Sequence, residues 1–337
     1  MNQRWTLHVE NFARIKEADI EISPLMCFIA DNNSGKSYMM SLLWGILVSS
    51  KVMLKKVDLS TTINKKCNKW IKKQLGQSFI VDNTIQQMYK EWFNCLINQN
   101  KEILVEHIFN QKINIDKIEI RNFCMMKDLK ITLEQDEDNG YKYCIEFDNF
   151  VNVIKHHFND DENGWLRVNF LIALNLLTNG ITLGSYSNYI YGTTAYLPAS
   201  RTSLLLTYPQ ISAGSIDDTF STIPLNDWNN KLTRPYIRFL QYLTDLPYEN
   251  KKFFIEENKN LIDFIEENMV NGNINIVNKG KEIHYKPIDL KQEIPLSITS
   301  SVVTEITPIL LLLKILPLNL LIVEEPEAHL HPALQKK

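Results

Sequence analysis

Ala30 to Ser37, reading Ala-Asp-Asn-Asn-Ser-Gly-Lys-Ser, constrains this chain more than any other stretch. It follows the apolar run Leu25 to Ile29, which reads as a buried strand, and precedes Tyr38 to Val48, whose pattern predicts a helix. A strand, a short loop ending in Gly-Lys-Ser and a helix together frame a phosphate-binding loop. Successive backbone N–H groups cradle phosphate oxygens, the lysine pairs with the outer phosphates and the hydroxyl holds Mg²⁺. The helix that starts at the lysine adds unpaired N–H groups and roughly +0.5 elementary charge of macrodipole. Asp31, Asn32, Asn33, Ser34, Gly35, Lys36 and Ser37 are thus the candidate nucleotide-binding residues, Ser37 also being a candidate metal ligand. Ala30 stands where the template has its first glycine, which requires negative φ there, because a Cβ penalises the left-handed region. The plainer alternative is a polar turn between a strand and a helix.

A second motif bears on that choice. Leu320-Leu321-Ile322-Val323-Glu324-Glu325-Pro326 runs four apolar residues into two adjacent carboxylates, as a buried parallel strand does when it delivers acids at its C-terminal end. This is a Walker B pattern. The first acid, Glu324, belongs to the Mg²⁺ shell and the second, Glu325, reaches the water that attacks the γ-phosphate; neighbours on a strand face opposite sides. Glu324 stands where aspartate is usual, one methylene longer, which bears on whether it meets the ion directly or through water. Between the motifs, Leu296 to Ser301 is a Ser/Thr-rich start to the apolar helix Val302 to Leu316, read as an N-cap that is also able to present hydroxyls and N–H groups to a phosphate.

The rest of the chain reads as an ordinary globular protein of 337 residues with 45% hydrophobic composition, long enough for a full core. A net charge of −3 argues against a surface made wholly for nucleic acid. Five scattered cysteines without a Cys-x-x-Cys pair, and no basic-then-apolar leader in Met1 to Glu10, suit reduced thiols in the cytoplasm. Ile309 to Val323 is interrupted by Lys314 and Pro317 and falls short of the ~20 apolar residues of a membrane span. It reads as a buried helix, a break and a buried strand, with no membrane partner.

In chain order, Trp5 to Val9 and Ala18 to Ile22 alternate like strands, joined through Glu10 to Arg14, with Phe12 a core aromatic rather than a base-stacking one and Arg14 solvated rather than phosphate-bound. Lys51 to Lys73 carries eight lysines against one acid, Asp58. A solvated helix face is the ordinary reading of such a run and a nucleic-acid surface the alternative. The pattern stays helical to about Asn110, with Trp70, Trp92 and Phe93 as core anchors. Ile113 to Phe123 and Leu129 to Phe147 read as strands with a turn at Asp136 to Gly140, Leu166 to Leu177 as a helix and Gly192 to Arg201 as a short strand. Ser203 to Asp227 reads as a loop. Asn226 to Leu243 and the acidic Tyr248 to Val270 read as helices, followed by a hairpin, Ile274 to Tyr285, turning at Asn278-Lys279-Gly280.

With both motifs in place the chain resembles the ABC-type ATPase heads shared by the SMC, RecF and OLD (overcoming lysogenization defect) families, grouped with AAA-type ATPases of bacterial antiphage systems. The resemblance rests on Leu7 to Phe12, Asp31 to Ser37, Tyr196 to Arg201, Ser300-Ser301 and Glu324-Glu325-Pro326-Glu327-Ala328-His329-Leu330-His331-Pro332. It implies an α/β P-loop NTPase head with mixed sheets and helical insertions over residues 1–337. Within it, 51–110 is a basic helical insertion, 203–270 a loop and helical insertion, and 285–337 the signature helix and Walker B segment. It implies ATP and Mg²⁺ as cofactors, Lys36 and Glu325 as catalytic residues, and Ser37 and Glu324 on the metal. Ser300 and Ser301 become the signature element, which in such proteins touches the γ-phosphate of the opposite subunit in an ATP-sandwiched dimer; Val302 replaces a usual glycine there. Related heads continue past this point with further strands and a γ-phosphate-sensing histidine, so the end of the fold is expected to lie outside the chain. His329, His331 and Glu327 supply too few ligands for a tetrahedral zinc site.

The expected function is an ATP-binding and hydrolysing dimeric module of a bacterial antiphage defence or DNA-maintenance system, controlling a nuclease or toxin partner. A nucleotide-sensing scaffold with little turnover and a DNA-repair-type DNA-binding head are the alternatives. Two consecutive acids on one strand suit water attack better than transfer to a bound acceptor, which disfavours a kinase.

Overall fold

In a computed structural model, residues 4–124, 129–135, 141–147, 150–156, 161–178, 193–213, 232–245, 256, 258–277, 282–316 and 318–328 are described. The chain divides into two compact units, Met1–Gly192 and Thr193–Lys337.

The first unit is built on β1 (Arg4–Phe12), the central strand of an antiparallel β2-β1-β4 sheet with β2 (Ile15–Ile22) and β4 (Lys117–Cys124). Trp5, Leu7 and Val9 alternate onto the buried face with Ile118 and Ile120 beside them. The β1–β2 connection is tight, with Phe12 opposite Ile15 and Ala13 left-handed at φ 53°. Helices α1 (Lys36–Val48), α2 (Ser50–Met53), α3 (Thr62–Lys73) and α4 (Asn83–Phe109) follow in the chain, with β3 (Gln77–Ile80) between α3 and α4. Helix α4 brings Trp92 and Phe93 into the core as expected. It also seals the free edge of β4: the Asn94 and Asn98 side-chain amides both donate to and accept from the backbones of Ile120 and Ile118. Side-chain amides thereby do the work of a neighbouring strand, so the edge presents no unpaired donors there. Helix α1 meets α4 at Gly45, where an added Cβ would run into the Ile108 side chain.

A second antiparallel sheet, β3-β5-β6-β7, adds β5 (Leu129–Gln135), β6 (Tyr141–Phe147) and β7 (Phe150–His156), and α5 (Glu162–Thr178) completes the unit. Two expectations change here. Gln77–Ile80 is a strand inside the stretch expected to be helical, because Phe79 is held edge-on to Trp70 with ring centroids 4.8 Å apart and its backbone pairs with β5. The sheet also gains a fourth strand after Phe147, with Phe150 opposite it. The expected turns at 136–140 and 278–280 lie outside the described residues.

A third expectation fails in a more telling way. Leu25–Ile29 forms no strand; Leu25 and Ile29 are 86% and 92% exposed. Strand pairing needs a neighbour, and no described strand of this unit runs beside it.

The second unit holds a parallel pair, β8 (Thr193–Leu197) and β12 (Leu318–Val323). Around it lie α6 (Arg201–Ala213), α7 (Arg234–Asp245), α8 (Lys259–Ile265), which ends in a π-helical turn over Glu266–Val270, the small sheet β9 (Gly272–Val277), β10 (Glu282–Pro287) and β11 (Ile294–Pro295), and α9 (Ser301–Ile315). The first part of the expected loop after Ser203 is helical, since Leu205 is buried in the core and Leu204 and Leu206 pack against it; residues 214–231 are not described. Glu266, one of the acids of the stretch read as an acidic helix, is buried and pairs with Lys314 at 2.6 Å. The expected α9, break and strand order is found, and among the described residues no helix is long and apolar enough to cross a membrane.

Because α1 and α4 touch at Gly45, Gly45→Val is expected to cost about 1–3 kcal/mol by overpacking against Ile108. Urea unfolding should also show a smaller cost for Gly45→Val in an Ile108→Ala background, the mark of contact coupling.

Candidate functional site

The candidate residues fall into two sets, each within one unit. In the first unit, Phe12, Tyr38 and Phe109 form an aromatic cluster with centroids 5.2 to 5.9 Å apart, tying the end of β1 and the end of α4 to the first turn of α1. Phe12 is fully buried, so it serves the core and not a base, and Arg14 is exposed. The cluster fixes where α1 begins. Just before it, Gly35 adopts φ 105° and caps the helix with no side-chain hydrogen bond. Two constraints demand glycine: the left-handed φ, and Ile15 Cγ1 at 2.8 Å from where a Cβ would stand. Ala30 stays outside the left-handed region, as its Cβ requires, while Asn33 at φ 64° supplies the loop's other left-handed residue.

The chemistry of this loop suits an anion. No acid lies in the first turn of α1, and no side chain takes the place of an acceptor at its start. The Lys36 ammonium donates to the Ala30 and Asp31 carbonyls at 2.5 and 2.9 Å, which are neutral acceptors, and among the described residues no carboxylate pairs with it. Asp31, Asn32, Asn33, Ser34 and Ser37 are all exposed. A triphosphate would meet an electropositive helix start, a cationic amine and a free-standing hydroxyl.

The second set gathers at the end of β12. Glu324 N–H still donates to Leu197 O at 2.9 Å, continuing the parallel ladder, and then the two acids part. Glu324 is buried. Its Oε1 accepts from the Tyr196 hydroxyl at 2.7 Å, and its Oε2 from Ala199 N–H at 2.9 Å and, more weakly, the Tyr236 hydroxyl at 3.4 Å. Burial first, and then the negative charge of Glu324, raise the Tyr236 phenol above its ordinary value, so it stays a donor. An ionised carboxylate offers about four acceptor sites. Three protein donors leave it room for a water in a Mg²⁺ shell, which fits an outer-sphere role better than direct ligation.

Glu325 faces solvent and its backbone is left-handed at φ 44°. Arg201, itself 1% exposed, runs beneath this turn: Nη1 donates to Glu324 O at 2.7 Å, Nη2 to Glu325 O at 3.1 Å, and Nη2 pairs with Glu305 of α9 at 3.0 Å. Ser300 caps α9, accepting from Val303 N–H, and Ser300 and Ser301 are exposed. Ser300 thus fills the cap role, while Ser301 is the first exposed residue of the helix proper. His329 and His331 lie outside the described residues.

Sequence reasoning did not single out Tyr236 or Glu305. Glu305 left a signal, being the only acid in an apolar helix, where an unpaired charge is costly. Tyr236 left none. A different cluster, His8 with Asp19 and Glu17 on the first sheet, brings metal-binding atom types together; His8 already bonds Asp19 and Glu10 at 2.9 Å through its two ring nitrogens. Burial pushes the Cys67 thiol up to about 12, leaving it an inert core group.

Removing the strongest donor tests the Glu324 network. Tyr196→Phe is expected to cost about 1–3 kcal/mol, as for a buried charged acceptor losing a partner. Tyr236→Phe, whose bond is 3.4 Å, should cost clearly less in the same urea titration.

No curated protein matches the chain at a significant level. A family profile described as AAA ATPase domain covers residues 6–337, which takes in both the Lys36 loop and the Glu324-Glu325 turn. With nearly its whole length matched to that profile, the chain belongs to the AAA ATPase domain family.

Proposed function

We propose that this nucleotide-binding ATPase domain holds Mg²⁺-ATP at Asp31 to Ser37 and hydrolyses it with Glu325, as an ABC-like head that dimerises around ATP to control a nuclease or toxin partner in a bacterial antiphage defence or DNA-maintenance system. The observation that carries the nucleotide part is the start of α1: no acid, no side-chain cap, a left-handed Gly35 and a lysine held only by neutral carbonyls. Those are the features an anion needs there. Lys36 binds the outer phosphates, and Glu325, exposed and free to meet solvent, polarises the attacking water. Ser37, and Glu324 by way of water, are assigned to Mg²⁺, which when bound neutralises charge on the phosphate oxygens. The dimer and the defence role draw on the motif order shared with SMC, RecF and OLD heads, with Ser300 and Ser301 serving the opposite subunit.

One specific observation favours a nucleic-acid partner as well. On α3, Lys65, Lys66, Lys69, Lys72 and Lys73 are all exposed, while Asn64, Cys67 and Ile71 face inward. No arginine lies among them, and Trp70 is packed against Phe79 and Tyr89, so the face offers charge to phosphates without forks or stacking surfaces for bases. Duplex backbone is the ligand such a face suits.

Lys36→Ala should remove ATP binding in calorimetry while the protein stays folded. Glu325→Gln keeps the size of the side chain and removes its charge; it should bind Mg²⁺-ATP, release phosphate very slowly and accumulate as a dimer by light scattering. Ser300→Arg should bind ATP and remain monomeric. A Glu325→Gln protein that stays monomeric in ATP, or turns over at the parental rate, would favour a nucleotide-sensing scaffold instead.

For the lysine face, duplex binding should weaken with salt at a log–log slope near −0.9 per phosphate neutralised. Lys65, Lys69 and Lys72 changed together to Glu should abolish it; unaltered binding by that variant returns α3 to a solvated face.

A further inference from the structure

We infer that Arg201 is a positioning residue for Glu325, fastening the backbone that carries the water-activating carboxylate to the start of the signature helix α9. This rests on the assignment of Glu325 above. Three observations carry it. Arg201 bonds the carbonyls of both residues of the Glu324-Glu325 pair, 2.7 and 3.1 Å away, so one planar group holds the two successive peptides that flank the Glu325 Cα. Glu325 holds a left-handed φ of 44°, a conformation a Cβ disfavours, and among the described residues its carbonyl accepts from Arg201 Nη2 and from Ala328 N–H at 3.0 Å. The guanidinium's counter-charge is Glu305, one helical turn past Ser301, at 3.0 Å and 3% exposed. The Arg201 backbone is itself anchored at the end of β8, its N–H donating to Pro198 O.

A buried ion pair is a weak device for stability alone, since apolar residues of the same volume often serve as well. What apolar residues cannot do is tie a helix to two main-chain carbonyls. Any shift of the α9 start, where Ser300 and Ser301 are exposed, pulls on Glu305, and through Arg201 on the Glu325 backbone. Arg201 touches no reacting atom in this scheme. It sets where Glu325 points, and it makes that setting depend on the position of α9. Lysine keeps the charge but, as a point donor, cannot span two carbonyls and a carboxylate with a rigid fork.

The test is a double-mutant cycle on the full-length protein, reading kcat, KM for ATP, ATP affinity and thermal midpoint. Arg201→Lys should lower kcat about 10- to 100-fold, the scale of a catalytic group displaced by about 1 Å, with KM and affinity held within about 3-fold. In a Glu325→Gln background, followed by single-turnover phosphate release, the same substitution should cost nothing further, because the effect runs through the Glu325 carboxylate. Glu305→Gln, which keeps an acceptor but loses the charge, should show the same pattern with a loss of about 3- to 10-fold, and it carries the cycle if Arg201→Lys does not fold. Parental kcat in the first variant to fold, or an equal loss in both backgrounds, overturns the clamp and leaves Glu325 assigned. Parental turnover in Glu325→Gln alone overturns the assignment and the clamp with it.

Discussion

The second unit depends on giving the buried Glu324 carboxylate enough donors. An ionised group taken out of water costs several kcal/mol unless hydrogen bonds replace its hydration. That requirement selects what surrounds it: a tyrosine on β8, the Ala199 N–H freed where the strand stops at Pro198, and a second tyrosine on α7. Three chain segments far apart in sequence converge because one carboxylate must be solvated by protein. The parallel pair β8–β12 supplies the framework, since its register sets Val323 beside Leu197 and so delivers Glu324 level with the end of β8. With three protein donors already on its two oxygens, the Glu324 carboxylate has only limited acceptor capacity left.

The same logic, with the sign reversed, governs the start of α1. There the helix keeps its unpaired N–H groups uncapped, and Lys36 leans on neutral carbonyls. Elsewhere the chain caps helix starts with an oxygen of the cap side chain, Asp82 for α4, Thr61 for α3 and Ser300 for α9. Gly35 supplies none, and neither does Asn258 at the start of α8. What sets α1 apart is the combination of an uncapped start, a left-handed Gly35 and Lys36 in its first turn.

Legibility in the sequence followed the range of the forces involved. Local apolar patterning exposed β1, β2, α1, α4, α5 and α9, although α1 and α9 are buried nearly all round rather than on one face. The Gly-Lys-Ser and Glu-Glu strings stand out because the family the chain belongs to is recognised by residue types set side by side. Gln77–Ile80 was missed because four residues carry too little period to outweigh the helices on both sides, and pairing with β5 over fifty residues away decides it. Leu25–Ile29 was misread for the complementary reason: apolar content suggested a strand, whereas a strand exists only where a partner backbone accepts it. Arg201 and Glu305 lie 104 positions apart, and only the observation that charges inside apolar segments must pair could have joined them.

That observation extends to the whole of α9. Its two charged residues are Glu305 near the start and Lys314 in the last turn, and both are taken up by partners of opposite sign, Arg201 and Glu266. Neither pairing is a matter of surface solubility, for Glu305 and Glu266 are buried. The helix is therefore tied at each end to a different neighbour: to the turn carrying Glu325 at its N-terminal end, and to the π-helical turn Glu266–Val270, with Lys314 also donating to Ile274 O, at its C-terminal end. The middle, Leu310 to Leu313, is packed among apolar side chains and takes one directional bond, Asn258 Nδ2 donating to Leu313 O at 2.8 Å. Pro308 lies between the two fixtures and removes one intrahelical donor, so each end of α9 depends on its own polar partners for its place. At the N-terminal end those partners reach, through Arg201, the backbone carbonyl of Glu325.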